Sequence, residues 1–108
     1  MAYYMCQVSY TQEAFKTLIK KPHDRTEVVR GAVEKLGGKL LGFWYAFGNY
    51  DAVLILEMPD HASAAALPLA AAAGGAISTS HTTVLLTPTE AVAALKKAAK
   101  SGYRPPGK

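Results

Sequence analysis

KLLGFWYAFGNYDAVLILEM, residues 39–58, is a pair of β-favouring runs around four turn residues. Lys39 to Phe47 and Ala52 to Met58 are rich in aromatic and branched apolar residues, and Gly48-Asn49-Tyr50-Asp51 supplies the turn between them. The stretch therefore reads as a β-hairpin. In its first strand Leu41, Phe43, Tyr45 and Phe47 lie on one side, with Leu40, Gly42, Trp44 and Ala46 on the other. In its second strand Ala52, Leu54 and Leu56 oppose Val53 and Ile55. Both sides are apolar, whereas a sheet with one face in water alternates apolar with polar residues. The hairpin thus predicts a sheet covered on both faces.

The flanking segments give the rest of the architecture. Tyr3 to Tyr10 reads as a strand, and Thr11 is an N-cap for a helical segment carrying Phe15, Leu18 and Ile19. Pro22 interrupts that segment. Asp24 caps a second one, whose stripe is Val28, Val29, Ala32, Val33 and Leu36, stopped by Gly37-Gly38. After the hairpin, Asp60 caps an alanine-rich helix running to about Ala73, where Gly74-Gly75 closes it. Pro68 inside it is expected to kink the helix or divide it in two. Ile77 to Thr87 reads as the last strand, and Pro88-Thr89-Glu90 opens a final helix. The order is βαββαβ, a split βαβ arrangement, with one extra C-terminal helix. Right-handed crossovers put both main helices on one face of a four-stranded antiparallel sheet, an α+β, ferredoxin-like fold. Nothing left in 108 residues is large enough to cover the other face. A homodimer packed sheet to sheet, with a cavity between the sheets, is expected.

That length predicts one domain over residues 1–100, followed by a basic Pro/Gly tail at 101–108. A formal charge of +4 suggests an anionic partner. Position removes that suggestion, because Lys96, Lys97, Lys100, Arg104 and Lys108 lie at one end with no acid among them. Residues 1–95 are slightly acidic, and no aromatic platform with interleaved basic residues is present, so nucleic acid is not an expected partner. The uncharged stretch from Ala62 to Thr89 is broken by Pro68, Gly74 and Gly75, so no membrane span is expected. A single cysteine, Cys6, and the absence of a signal-peptide pattern at the N-terminus point to the cytoplasm.

Gly48-Asn49-Tyr50-Asp51 resembles the signature of the GYD domain family, Gly-x-Tyr-Asp. The likeness extends to Lys35-Leu36-Gly37-Gly38-Lys39-Leu40 and to Glu57-Met58-Pro59-Asp60, in the same order, and covers roughly Tyr3 to Thr87. The resemblance implies a protein of bacteria or archaea with a dimeric α/β-barrel. Barrels similar to it include small monooxygenases, haem-processing enzymes, isomerases and ligand-sensing modules, so the fold alone does not choose a function. Pro68, Ser78 to Thr83 and the Tyr103-Arg104-Pro105-Pro106 tail depart from the plainest family pattern.

The candidate catalytic residues are His81, Tyr50 and Asp51. Asp51 is either a hydrogen-bond acceptor that holds the turn or a base; Tyr50 either packs at the rim or donates from its phenol. His81 shares a strand side with Ile77, Thr79, Thr83 and Leu85, as an edge residue or as a general base. Trp44, Tyr45, Asn49, Tyr50, Asp51 and His81 are the candidate ligand-binding residues. The histidines lack metal-ligand spacing, and neither a metal nor a cofactor is expected. Three functions fit. The first is binding of a small, partly apolar molecule between the sheets of a homodimer. The second is a cofactor-independent monooxygenase or isomerase. The third is an assembly protein forming higher oligomers through the alanine-rich helix.

Overall fold

Four runs of strand length, three of them largely apolar and the last rich in Ser and Thr, form one antiparallel sheet in the computed structural model, which describes residues 1–107. The strands are β1 (Ala2–Tyr10), β2 (Lys39–Tyr45), β3 (Ala52–Met58) and β4 (Ile77–Leu85), in the order β2-β3-β1-β4. The helices are α1 (Gln12–Lys20), α2 (Thr26–Lys35), α3 (His61–Ala73) and α4 (Pro88–Ala99). This is the expected α+β, ferredoxin-like arrangement with an added helix. No described helix is long and apolar enough to cross a membrane.

The punctuation read from the sequence operates locally. Thr11 accepts from the Ala14 N–H at the start of α1, but α2 is entered through Arg25, which makes no side-chain cap bond; Asp24, the expected cap, stands one residue earlier and accepts from the Thr26 N–H at 2.8 Å. Gly37 takes a φ of +86°, the left-handed conformation that ends α2. Gly38 has a different task. A Cβ there would run into the Met58 sulfur, the Glu57 carbonyl and Val33, so the missing side chain lets α2 and β2 close onto β3.

The core lies on one face only. Tyr4, Cys6 and Val8 of β1 and Ala52, Leu54, Leu56 and Met58 of β3 are buried there with Leu40, Ile77, Val33 of α2 and Ala64 of α3. A small cavity of about 100 Å³ persists beneath α2 and α3, touched by Cys6, Tyr10, Arg25 and Pro68.

Several local expectations are corrected. The register of β2 on β3 shifts between Leu40 and Gly42, so Leu40 faces the core with Phe43 and Tyr45, not outward with Gly42 and Trp44. A second shift, between Ser9 and Tyr10, turns Ile77 into the core, away from the side that holds His81. Each is the effect of one extra residue in a ladder of period two. Pro68 does not divide α3, which runs unbroken from His61 to Ala73. The proline removes one N–H, the donor that would serve the Ala64 carbonyl, and the surrounding alanines have the strongest helix propensity of any residue. The strands also end earlier than predicted, β2 at Tyr45 and β4 at Leu85.

The C-terminal helix stands away from this body. Thr87 accepts from the Glu90 N–H, the Glu90 carboxylate accepts from the Thr87 N–H, and Pro88 occupies the first turn, so α4 leaves β4 in a fixed direction. No residue of α4 is buried. The radius of gyration is 17.4 Å, whereas a compact chain of this length has about 13 Å. The longest dimension is 60 Å. The exposed area, 7587 Å², likewise exceeds the roughly 5,800 Å² expected of a compact monomer of this mass. The segment 101–107 continues beyond α4 without regular structure; Lys108 of the predicted tail lies outside the described residues.

Candidate functional site

Residues directly opposite one another in an antiparallel ladder share a face, so the register lays out the surface opposite the helices. One row across it is Trp44, Val53, Gln7 and His81. The next is Gly42, Ile55, Met5 and Thr83, and a third is Lys39, Glu57, Tyr3 and Leu85. The middle row is almost wholly apolar. The first row has an aromatic ring at one edge strand and an imidazole at the other, about 14 Å apart for three strand spacings. Chemically, this face offers apolar contact along its centre and polar groups at one margin.

Trp44 is positioned by what Gly42 lacks. The indole lies back over Gly42 and occupies the space of a Cβ, yet it remains 58% exposed. The large ring forms a flat platform facing outward from the sheet.

The hairpin turn supplies the opposite margin. The Asp51 carboxylate accepts from the Tyr10 N–H at 2.9 Å, the Asp51 N–H donates to the Val8 carbonyl at 2.8 Å, and the Asp51 carbonyl accepts from the Ala46 N–H at 2.8 Å. Asp51 thereby fastens the turn to the end of β1, and of its two readings the geometry carries the structural one. With Asp51 fixed, the preceding Tyr50 reaches over β1, and its ring centroid lies 6.4 Å from that of His81. Tyr50 and His81, far apart in sequence, are brought together, while Asp51 faces elsewhere.

The remaining predicted site residues separate. Tyr45 stands opposite Ala52 on the core side, with ring centroids 5.2 Å from Phe43 and 6.3 Å from Tyr10, so it does not share a surface with Trp44. Asn49 is exposed at the turn, and its carbonyl accepts from the Ser9 hydroxyl at 3.5 Å. Burial, and next to it the neighbouring Tyr45, push the Tyr10 phenol up to about 12, with Arg25 pulling the other way. Burial also raises the Cys6 thiol, which keeps it protonated and unreactive.

Two features were not legible one residue at a time. Gln7 and Met5 lie in the centre of the open face; alternation along β1 could have placed them, had the β1–β3 register been known. His61, at the start of α3, has its Nδ1 2.7 Å from the Tyr4 hydroxyl. That pair closes one end of a groove of about 460 Å³ between α3 and β4, walled by Ala64, Ala65, Pro68, Leu69, Ala72 and Val84. Among the described residues no group of three or more His, Cys, Asp or Glu side chains is placed to hold a metal ion.

Fold and site together define a ferredoxin-like α+β domain with one sheet face left open, apolar along its middle and edged by Trp44 and the Tyr50–His81 pair. The family model of the GYD domain matches residues 4–95, and the chain belongs to that family. The match includes the whole hairpin with Gly48, Tyr50 and Asp51 and ends within α4, before the basic tail. No curated protein matches the chain.

Proposed function

We propose that this GYD protein works in the cytoplasm as a homodimer joined through its open sheet faces, holding a small, partly apolar molecule between them. The observation that carries this reading is the exposed row at the open face, with Trp44 at one margin, Val53 and Gln7 between, and Tyr50 beside His81 at the other. A single chain leaves that surface in water, together with Phe47 at the hairpin tip, which is wholly exposed. Two copies related by a two-fold axis would cover it, since such an axis sets the same patch against itself. Trp44 of one copy would stack on an apolar ring, and the partner's Tyr50 and the partner's His81, brought opposite it by the two-fold axis, would bond its polar substituent.

Binding is preferred to catalysis because Asp51, the carboxylate an enzymatic reading would use as base, is engaged by the Tyr10 N–H. Native mass spectrometry of the protein purified without denaturation tests the proposal. A small-molecule adduct on the dimer, lost in both Trp44→Ala and His81→Ala, is expected. Adduct-free dimers in repeated preparations would contradict ligand binding, and adducts indifferent to both substitutions would contradict the site.

A further inference from the structure

We infer that α4 is an exchanged arm, whose apolar stripe lies in the groove between α3 and β4 of a second copy of the chain. The inference rests on the homodimer proposed above and adds a contact to it. At 100° per residue, Ala91, Val92, Ala94, Leu95, Ala98 and Ala99 fall on one side of α4, while Glu90, Lys96, Lys97 and Lys100 fall on the other. No residue on the apolar side is buried: Leu95 is 70% exposed and Val92 49%. The groove is the matching surface. Its small residues, Ala64, Ala65 and Ala72, admit close approach of a helix, and Leu69 and Val84 provide apolar walls.

The chain cannot use its own arm to fill its own groove. Only Leu86 and Thr87 separate β4 from α4, and the reciprocal Thr87–Glu90 bonds and Pro88 hold the helix pointing away from the body. Short, fixed connections of this kind favour exchange of an element between copies. The directions agree. β3 and β4 both run antiparallel to β1, so α3 starts at the end of the sheet where β4 finishes. His61 indeed touches Tyr4, which stands opposite Val84. A two-fold axis near Leu86 would bring the partner's arm in at that same end and lay it along α3. Counted from Pro88 and from His61 at 1.5 Å per residue, Leu95 is then about 10.5 Å along the arm and Leu69 about 12 Å along α3, so the two leucines come to nearly the same height. The area agrees as well, since the chain exposes about 1,800 Å² more than a compact monomer, and a stable interface needs about 800 Å² from each partner.

The test uses full-length Leu95→Cys and Leu69→Cys variants, with the native Cys6 buried and left in place. Mixed and treated with a short bis-maleimide, they should give a covalent heterodimer well above the yield of either variant alone. The double variant Leu69→Cys/Leu95→Cys should crosslink between chains, not within one. Leu95→Asp should weaken dimerisation at least tenfold in sedimentation. Mixed samples that crosslink no better than single ones, or a double variant that crosslinks within one chain, would overturn the arm exchange. Acrylamide quenching of Trp44 separates the two proposals. A dimer with Trp44 protected and no Leu69–Leu95 crosslink leaves the sheet contact standing and removes the arm; a crosslinked dimer with Trp44 freely quenched supports the arm and removes the sheet contact.

Discussion

Replacing Asp51 by alanine removes one interaction and leaves its neighbours in place. The carboxylate that accepts from the Tyr10 N–H at 2.9 Å is lost, but the Asp51 N–H and carbonyl, bonded to Val8 and Ala46, are untouched. A hydrogen bond to a charged acceptor contributes about 1.5–3 kcal/mol, and a half-buried site lies at the low end or just below it. The expected loss is therefore about 1–2 kcal/mol. For a domain of this size, 1 kcal/mol shifts the midpoint by about 4–8 °C, so Asp51→Ala should melt on the order of 5–15 °C lower. Asp51→Asn keeps an acceptor at the same position and should recover about half of that. The assay is thermal and urea unfolding followed by circular dichroism at one fixed protein concentration, because dimerisation makes the midpoint concentration-dependent. The urea slope should not change. A melting temperature within about a degree of wild type would refute the reasoning, and would return Asp51 to the candidate catalytic groups.

Gly42→Ala should push the Trp44 indole off its seat, because the new methyl takes the space the ring occupies; the tryptophan emission should shift and the dimer weaken at least tenfold, and an unchanged spectrum would contradict the platform. Gly38→Ala should cost about 1–3 kcal/mol in urea unfolding, since its Cβ would press on the buried Met58 and the Glu57 carbonyl; a stability equal to wild type would show that β2 and β3 can separate there without loss. The fold favours the neutral phenol of Tyr10, whose folded value is raised to about 12 from an ordinary 10.0. Its stabilisation is complete below pH 10 and is lost as pH rises through about 12. Tyr10→Phe should therefore flatten the decline in urea midpoint between pH 9.5 and 12, roughly the window set by that shift; an equally steep decline in the variant would assign it to other groups. Asp60 and Glu90 are held below the ordinary carboxylate range by the N–H groups of Ser63 and Thr87, so their capping contribution persists above about pH 4 and fades below it; Glu90→Gln should reduce the acid sensitivity of α4 helicity measured by circular dichroism.

The hairpin at residues 39–58 was legible because its signals are local: two β-favouring runs, a turn between them, and apolar residues on both sides. The two-sided pattern also distinguished Val53 and Ile55 from Leu54 and Leu56 correctly. Bulges were not legible. One extra residue beside Leu40 and another beside Tyr10 reverse which side a chain position faces, and neither carries a composition signal of its own. Of the candidate site residues, one pairing was hidden and one separation was not. Tyr50 and His81 meet because β1 lies between their strands, a matter of sheet order, whereas Tyr45 follows Trp44 in sequence and for that reason alone turns to the core. The free standing of α4 was also hidden, because its stripe of alanines, Val92 and Leu95 reads the same whether its partner is this chain or another.

The central claim, that two copies meet through the open sheet face, is tested most directly at Trp44, the only tryptophan in the chain. Sedimentation and acrylamide quenching would be followed together across a dilution series of the full-length protein. A two-fold dimer should dissociate on dilution, with quenching of Trp44 rising in step and its emission moving to the red. A chain that sediments as a monomer throughout, or a dimer whose Trp44 is quenched as readily as free indole, would contradict the claim.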